Sequence, residues 1–222
     1  MDWKAWHDAY DDPESALTQR LVIVQQEIRA ALDSLPDRPW QVISLCAGDG
    51  RDLLGALSTH PRRGDVHGLL VELDPDIAES GRDAYARAGL SNIEVRNADA
   101  AEAAHYQGLA ADLLLVCGVL GNLTDEGVFE LIEHLPGLCA ANATLIWTRH
   151  RRAPDLTPRI RETLTKLGFI EMSFHTLEGS WGSVGAARWT DGGSPPKPPD
   201  RLFHFVPDNS QDWQEQPAAA KE

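Results

Sequence analysis

The sequence is short of the features that carry a chain into a membrane or an oxidising compartment. No apolar run approaches the roughly 20 residues that span a bilayer, and Met1-Asp2-Trp3-Lys4-Ala5-Trp6 has neither the basic start nor the apolar stretch of a signal peptide. The cytoplasm is therefore the expected location. Cysteine is scarce: Cys46, Cys117 and Cys139 are odd in number and far apart, which argues against a disulfide framework and predicts buried, reduced thiols. His60, His67, His105, His134, His175 and His204 are dispersed without a shared ligand spacing, so no metal is expected. Positive charge is also in deficit, with 20 Lys and Arg against 34 Asp and Glu, a net charge of -14 and a pI of about 4.9. Such a field repels phosphate backbones, and the expected partner is a small molecule rather than nucleic acid or a membrane. The one dense basic run, Arg149-His150-Arg151-Arg152, suffices for a single anionic group on a small substrate.

What is present is the patterning of one α/β domain. At 222 residues and 42% hydrophobic, the chain can bury one substantial core. Leu17, Leu21, Val24, Ile28 and Leu32 recur at helical spacing over 16–32, between the breaker segments 11–15 and 34–39. Strand and helix patterns then alternate: strands at 42–46, 66–73, 93–96, 113–117 and 144–148, and helices at 51–58, 76–88, 125–135 and 158–167. Leu113-Leu114-Leu115-Val116-Cys117 is apolar throughout, as a parallel strand covered on both faces must be. The prediction is a doubly wound sheet. Residues 169–176 and 183–189 read as a strand pair; 202–206 reads either as a further strand or as the last strand of the sheet with 183–189 inserted. Three segments follow: an N-terminal helical lid over 1–35, a core over 36–207 and a disordered tail over 208–222.

Chemistry concentrates at strand ends. The first strand runs through Ser44-Leu45-Cys46-Ala47-Gly48-Asp49-Gly50-Arg51-Asp52 into a helix, where Gly48 and Gly50 permit a tight turn and close approach of a ligand to the backbone. A tight turn without a ligand explains a glycine pair equally well. The second strand tips the balance: Glu72 ends it, about 20 residues beyond the turn, where a carboxylate can accept hydrogen bonds from both hydroxyls of a ribose. A dinucleotide fingerprint is incomplete, because Leu53 stands where its third glycine belongs.

These segments together resemble the class I S-adenosylmethionine-dependent methyltransferases over about residues 40 to 176. Ser44 to Gly50 is similar to the family's glycine-rich first motif, Glu72 to its ribose-binding acid, and Asn97-Ala98-Asp99-Ala100 to its adenine-contacting segment. Residues 112–117, continuing to Asp125, are similar to its fourth strand and the loop facing the methyl donor. The Ser44–Gly48 and Trp147–Arg152 segments are similar to those of small bacterial members. The resemblance implies a Rossmann-like, seven-stranded, mostly parallel sheet with an N-terminal helical extension. It implies S-adenosyl-L-methionine as cofactor, held by Ser44, Ala47, Gly48, Asp49, Gly50, Glu72, Leu73, Asp99, Ala100, Cys117 and Gly118. Two departures stand out: Ser44 replaces an acid and Cys46 a glycine. Asp49, or the carbonyls of Ala47 and Gly118, would then have to meet the donor's ammonium.

In an open α/β sheet the acceptor lies beyond the strand ends, so Asn122 and Arg149 are candidate substrate-binding residues and His150 a candidate general base. A surface histidine and an ordinary salt bridge are the competing explanations for the last two. Trp3, Trp6, His7 and Tyr10 share a helical face. Similar methyltransferases close such a segment over the site, which would put Tyr10 over the donor and Trp6 against the acceptor; aromatic packing on the sheet edge explains the tryptophans as well. Trp181, in a glycine-flanked loop, is a second lid candidate. The leading function is methyl transfer to O or N of a small, anionic metabolite. A cofactor-binding protein without transfer, a nicotinamide-dependent oxidoreductase and non-methyl sulfonium chemistry are the alternatives.

Overall fold

The computed structural model describes residues 10, 12, 15–34, 38–190 and 197–206. Trp3, Trp6, His7 and the expected tail 208–222 lie outside them. The element order is α1 (Ala16–Ser34), β1 (Trp40–Leu45), α2 (Arg51–Leu57), β2 (Val66–Glu72), α3 (Pro75–Arg87), β3 (Ile93–Asn97), β4 (Ala111–Val116), α4 (Asp125–His134), β5 (Cys139–His150), α5 (Thr157–Lys166), β6 (Phe169–Thr176) and β7 (Gly182–Trp189). One seven-stranded sheet results, in the order β3-β2-β1-β4-β5-β7-β6. β7 runs antiparallel to both neighbours and the remaining pairs are parallel.

Alternation along the strands divides the core in two. Leu114 and Val116 of β4 join Leu131 and Ile132 of α4 and Ile160 of α5 on one face. Leu113 and Leu115 join Val24, Ile28 and Leu32 of α1 and Leu53 and Leu57 of α2 on the other. Burial of both faces is why these strands carry unbroken apolar runs. Two helix starts follow from their capping residues. Asp74 accepts from the Asp76 and Ile77 amides ahead of α3, with Pro75 in the first turn, and Thr124 Oγ1 accepts from the Gly127 amide ahead of α4.

α1 is a layer of this core. Gln25 donates to Arg51 O at 3.0 Å and Arg29 to Gly55 O at 2.6 Å, and a Cβ on Gly55 would stand only 2.1 Å from Gln25 Nε2. Glycine at that position leaves the room that the Gln25 amide occupies between α1 and α2.

Two strand expectations change in detail. β5 is longer than its apolar centre and includes Arg149 and His150, because β7 pairs with it from Thr144 opposite Arg188 to His150 opposite Gly182. Gly182–Trp189, rather than Leu202–Val206, fills the position between β5 and β6. Its small residues make this possible: Gly185 lies opposite Trp147, whose indole would be 2.4 Å from a Cβ there. Residues 202–206 instead run as an extended segment over the sheet's end. Leu202 and Phe203 are buried, and Leu202 N donates to Ala101 O at 2.8 Å and Val206 N to Asn122 O at 3.2 Å. Among the described residues no helix is long and apolar enough to cross a membrane.

Candidate functional site

The turn after β1 is held by backbone geometry. Cys46, Gly48 and Gly50 have φ of 50°, 60° and 72°, and the turn closes through Ala47 N to Val71 O at 2.9 Å and Gly50 N to Ala47 O at 3.0 Å. Gly50 is obligatory twice over, since a Cβ would also meet Leu70 Cδ2 at 2.5 Å and Tyr85 Cε2 at 2.8 Å. Tyr85 Oη donates to Gly50 O at 2.8 Å and braces the turn from α3. Cys46 keeps the left-handed conformation that glycine favours, at a cost of about 1–2 kcal/mol.

Glu72 is tied to that turn. Its Oε2 accepts from Gly48 N and its Oε1 from Asp74 N, both at 2.9 Å. Each carboxylate oxygen can accept a second bond, so the acid is oriented without being used up. The next residue, Leu73, is 62% exposed, an apolar side chain presented to solvent at the end of β2. Asn97 Nδ2 donates to Glu72 O at 3.1 Å and Leu73 O at 2.7 Å, joining the ends of β2 and β3. Asp99 follows: its Oδ1 accepts from Ala101 N at 2.9 Å and its Oδ2 from Arg201 at 2.9 Å. Ala100 is buried, with its carbonyl accepting from Tyr106 Oη at 2.8 Å. Hydrogen bonds thus join the turn, the Glu72–Leu73 strand end and Asn97 across β1, β2 and β3, and Asp99 follows directly after this rim. An oriented carboxylate, an exposed apolar neighbour and a backbone turn free of side-chain bulk fit a nucleoside.

The residues after β4 and β5 are occupied differently. Gly118 N donates to Thr148 Oγ1 at 2.8 Å, and Asn122 Nδ2 to Gly118 O at 2.6 Å. Arg149 is buried, donates to Leu120 O and lies 3.8 Å from Asp125. Asn122 and Arg149 thus hold the loop after β4 in shape. His150 is half-buried and its Nδ1 accepts from Arg152 N at 3.3 Å. Burial, followed by the charges of Arg149 and Arg152, holds the imidazole below its usual range, so it is neutral near pH 7. Trp181 is exposed, and its carbonyl accepts from Arg151 N at 2.7 Å.

Tyr10 sits beside the glycine turn. Arg51 stacks on its ring at 4.4 Å and Arg20 of α1 donates to its Oη at 2.8 Å. Burial raises its phenol, which keeps it protonated. Ser44 is buried within β1, and Asp49 is engaged by Arg51 through contacts of 2.6–3.2 Å. All three cysteines are held as thiols by burial, Cys139 with a pKa of about 12. Two features were not singled out from the sequence. Asp52 is a buried acid whose only signal is its place in the first turn after Gly50. Arg201 reaches Asp99 from 102 residues away, a contact for which no local signal exists.

Solved structures similar to this chain include methyltransferases. An O-methyltransferase family protein from Burkholderia thailandensis is 20% identical with a TM-score of 0.59, over 80% of this chain and 60% of its own. The CurJ carbon methyltransferase is 16% identical with a TM-score of 0.63, over 80% of this chain and 56% of its own. The 1,6-didemethyltoxoflavin-N1-methyltransferase of Burkholderia thailandensis, solved with 1,6-didemethyltoxoflavin and S-adenosylhomocysteine, is 17% identical with a TM-score of 0.61, over 85% of this chain and 87% of its own. The chain spans less than two thirds of the length of the first two. No protein-family model and no curated protein sequence matches the chain. At these identities the likeness is one of fold: the chain has the Rossmann-like fold of class I methyltransferases.

Proposed function

We propose that this chain is an S-adenosylmethionine-dependent methyltransferase acting on oxygen or nitrogen of a small metabolite. The observation that carries the reading is Glu72, oriented by the amides of Gly48 and Asp74 beside the exposed Leu73. Bound there, the donor supplies a methyl group on a sulfonium, and its transfer is an in-line displacement. The chain's part is positioning and exclusion of water. Glu72 takes the ribose hydroxyls, Leu73 flanks the adenine, and the Ala47–Gly50 turn and the Cys117–Gly118 segment enclose the rest. Asp99 addresses the adenine amino group with the carboxylate capacity that Arg201 leaves.

On the acceptor side, His150 is the proposed proton acceptor, supported by its neutral imidazole. Tyr10 is proposed to close over the donor and Trp6 to wall the acceptor. Asn122 and Arg149 are proposed to shape that wall through the loop they hold. A net charge of -14 favours a small acceptor over nucleic acid, and one anionic group could be met by the basic run ending β5.

Calorimetric titration with S-adenosylmethionine and S-adenosylhomocysteine, with NAD as control, tests the donor site. Micromolar binding that Glu72→Ala weakens by about 100-fold supports the reading; NAD binding, or no binding, overturns it. Label transfer from methyl-labelled donor into structured RNA, but into no small acceptor, would overturn the substrate class while leaving the reaction.

A further inference from the structure

β3 and β4 follow each other in the chain but stand apart in the sheet, with β2 and β1 between them. Asp99 follows the first and the loop 118–122 follows the second, so three strand spacings, about 14 Å of sheet edge, separate the donor side from the acceptor side. The extended residues 201–206 reach about 17 Å, enough to cross that gap.

Each end of this segment is tied to one side. Ala103 N donates to Asp200 O at 3.0 Å and Leu202 N to Ala101 O at 2.8 Å, which sets Arg201 opposite Glu102 and lets it donate to Asp99 Oδ2 at 2.9 Å. Leu202 and Phe203 are each 1% exposed, and Phe203 meets Phe205 edge-on at 5.2 Å, so burial pins the middle. At the far end Val206 N donates to Asn122 O at 3.2 Å, and Asn122 Nδ2 to Gly118 O at 2.6 Å. Hydrogen bonds and packed rings therefore run from Asp99 to Gly118. The buried middle makes the segment behave as a unit, while Arg201 and Val206 are exposed and their bonds open more readily to water.

We propose that residues 200–206 are a strap that couples the two sides of the site: a base bound at Asp99 steadies Arg201, and the strap carries this to Asn122 and sets the loop after β4. The proposal rests on the donor reading above. The coupling is reciprocal, so an acceptor that orders the 118–122 loop also tightens the hold on the donor's base. Arg201 and Val206 are positioning residues in this scheme, acting through Asp99 and Asn122.

Hydrogen exchange read by mass spectrometry, with adenosine as the probe, tests the strap, because adenosine keeps the base and ribose and lacks the groups proposed to lie near Gly118. In wild type, adenosine is expected to slow exchange at 97–101 and, by about fivefold or more, at 118–122. Val206→Pro, which removes the amide hydrogen donated to Asn122 O, should keep the first effect and lose the second. Arg201→Gln should lose the second as well. Unchanged exchange across β1 and β4 certifies that the variants are folded. Slowing at 118–122 that survives in Val206→Pro would reflect direct contact and overturns the strap, as does slowing confined to 97–101 in wild type; both leave the donor reading standing. Adenosine that slows exchange nowhere also overturns the strap, and the donor reading falls with it if S-adenosylhomocysteine does not bind either.

Discussion

The two halves of the sheet's carboxyl edge are built by different means. On the β1–β2–β3 side, shape comes from the backbone: positive φ at Gly48 and Gly50, amides aimed at Glu72, and a turn closed by main-chain bonds. On the β4–β5 side it comes from side chains folded inward, with Asn122 on Gly118 O, Thr148 on Gly118 N and Arg149 on Leu120 O. Backbone-built sites restrict which residue type can stand at each position. Side-chain-built sites restrict which pairs must meet, and the acceptor-side chemistry can vary with the pairs.

The sharpest break of this contrast is Gly50→Ala. A methyl at φ 72° and 2.5 Å from Leu70 Cδ2 should cost about 3 kcal/mol in denaturant unfolding and abolish donor binding together; wild-type stability would show that the turn is not fixed by its backbone. Next comes Arg149→Met, which leaves Leu120 O unpaired in a buried loop and should cost about 1–3 kcal/mol. If Arg149 instead serves chiefly as an acceptor's anion site, stability will be unchanged and only the acceptor KM will rise. The smallest effect is expected from Arg201→Ala. Its pair with Asp99 is open to solvent, Arg201 at 39% and the half-buried Asp99 at 27%, so stability should move by less than about 1 kcal/mol. A larger loss would mean that the 197–206 segment, rather than the turn, holds the adenine end.

The same contrast explains what could be read in advance. The alternation of strands and helices and the turn at Gly48 and Gly50 were legible because local backbone geometry demands those residue types, and Glu72 was legible from its place at the end of the second strand. The place of β7 was not, since competition between 183–189 and 202–206 for β5 is settled by the fit of Gly185 against Trp147. The internal partner of Arg149 was not legible either, because Leu120 O lies 29 residues away and no local pattern announces the contact. Asp52 was passed over because an acid in the first turn of a helix is ordinary; only its burial makes it unusual.

The insertion of β7 between β5 and β6 also orders events during synthesis. β6 leaves the ribosome first, yet the strand that attaches it to the sheet is the later one. Until Gly182–Trp189 emerges, the nascent chain carries β5 as an open edge and β6 without a place in the sheet, a state prone to intermolecular pairing. Translation stalled just before Gly182 therefore leaves two strands out of the sheet rather than one. Quality control would meet that fragment as a five-stranded sheet with its Trp147 uncovered on one side.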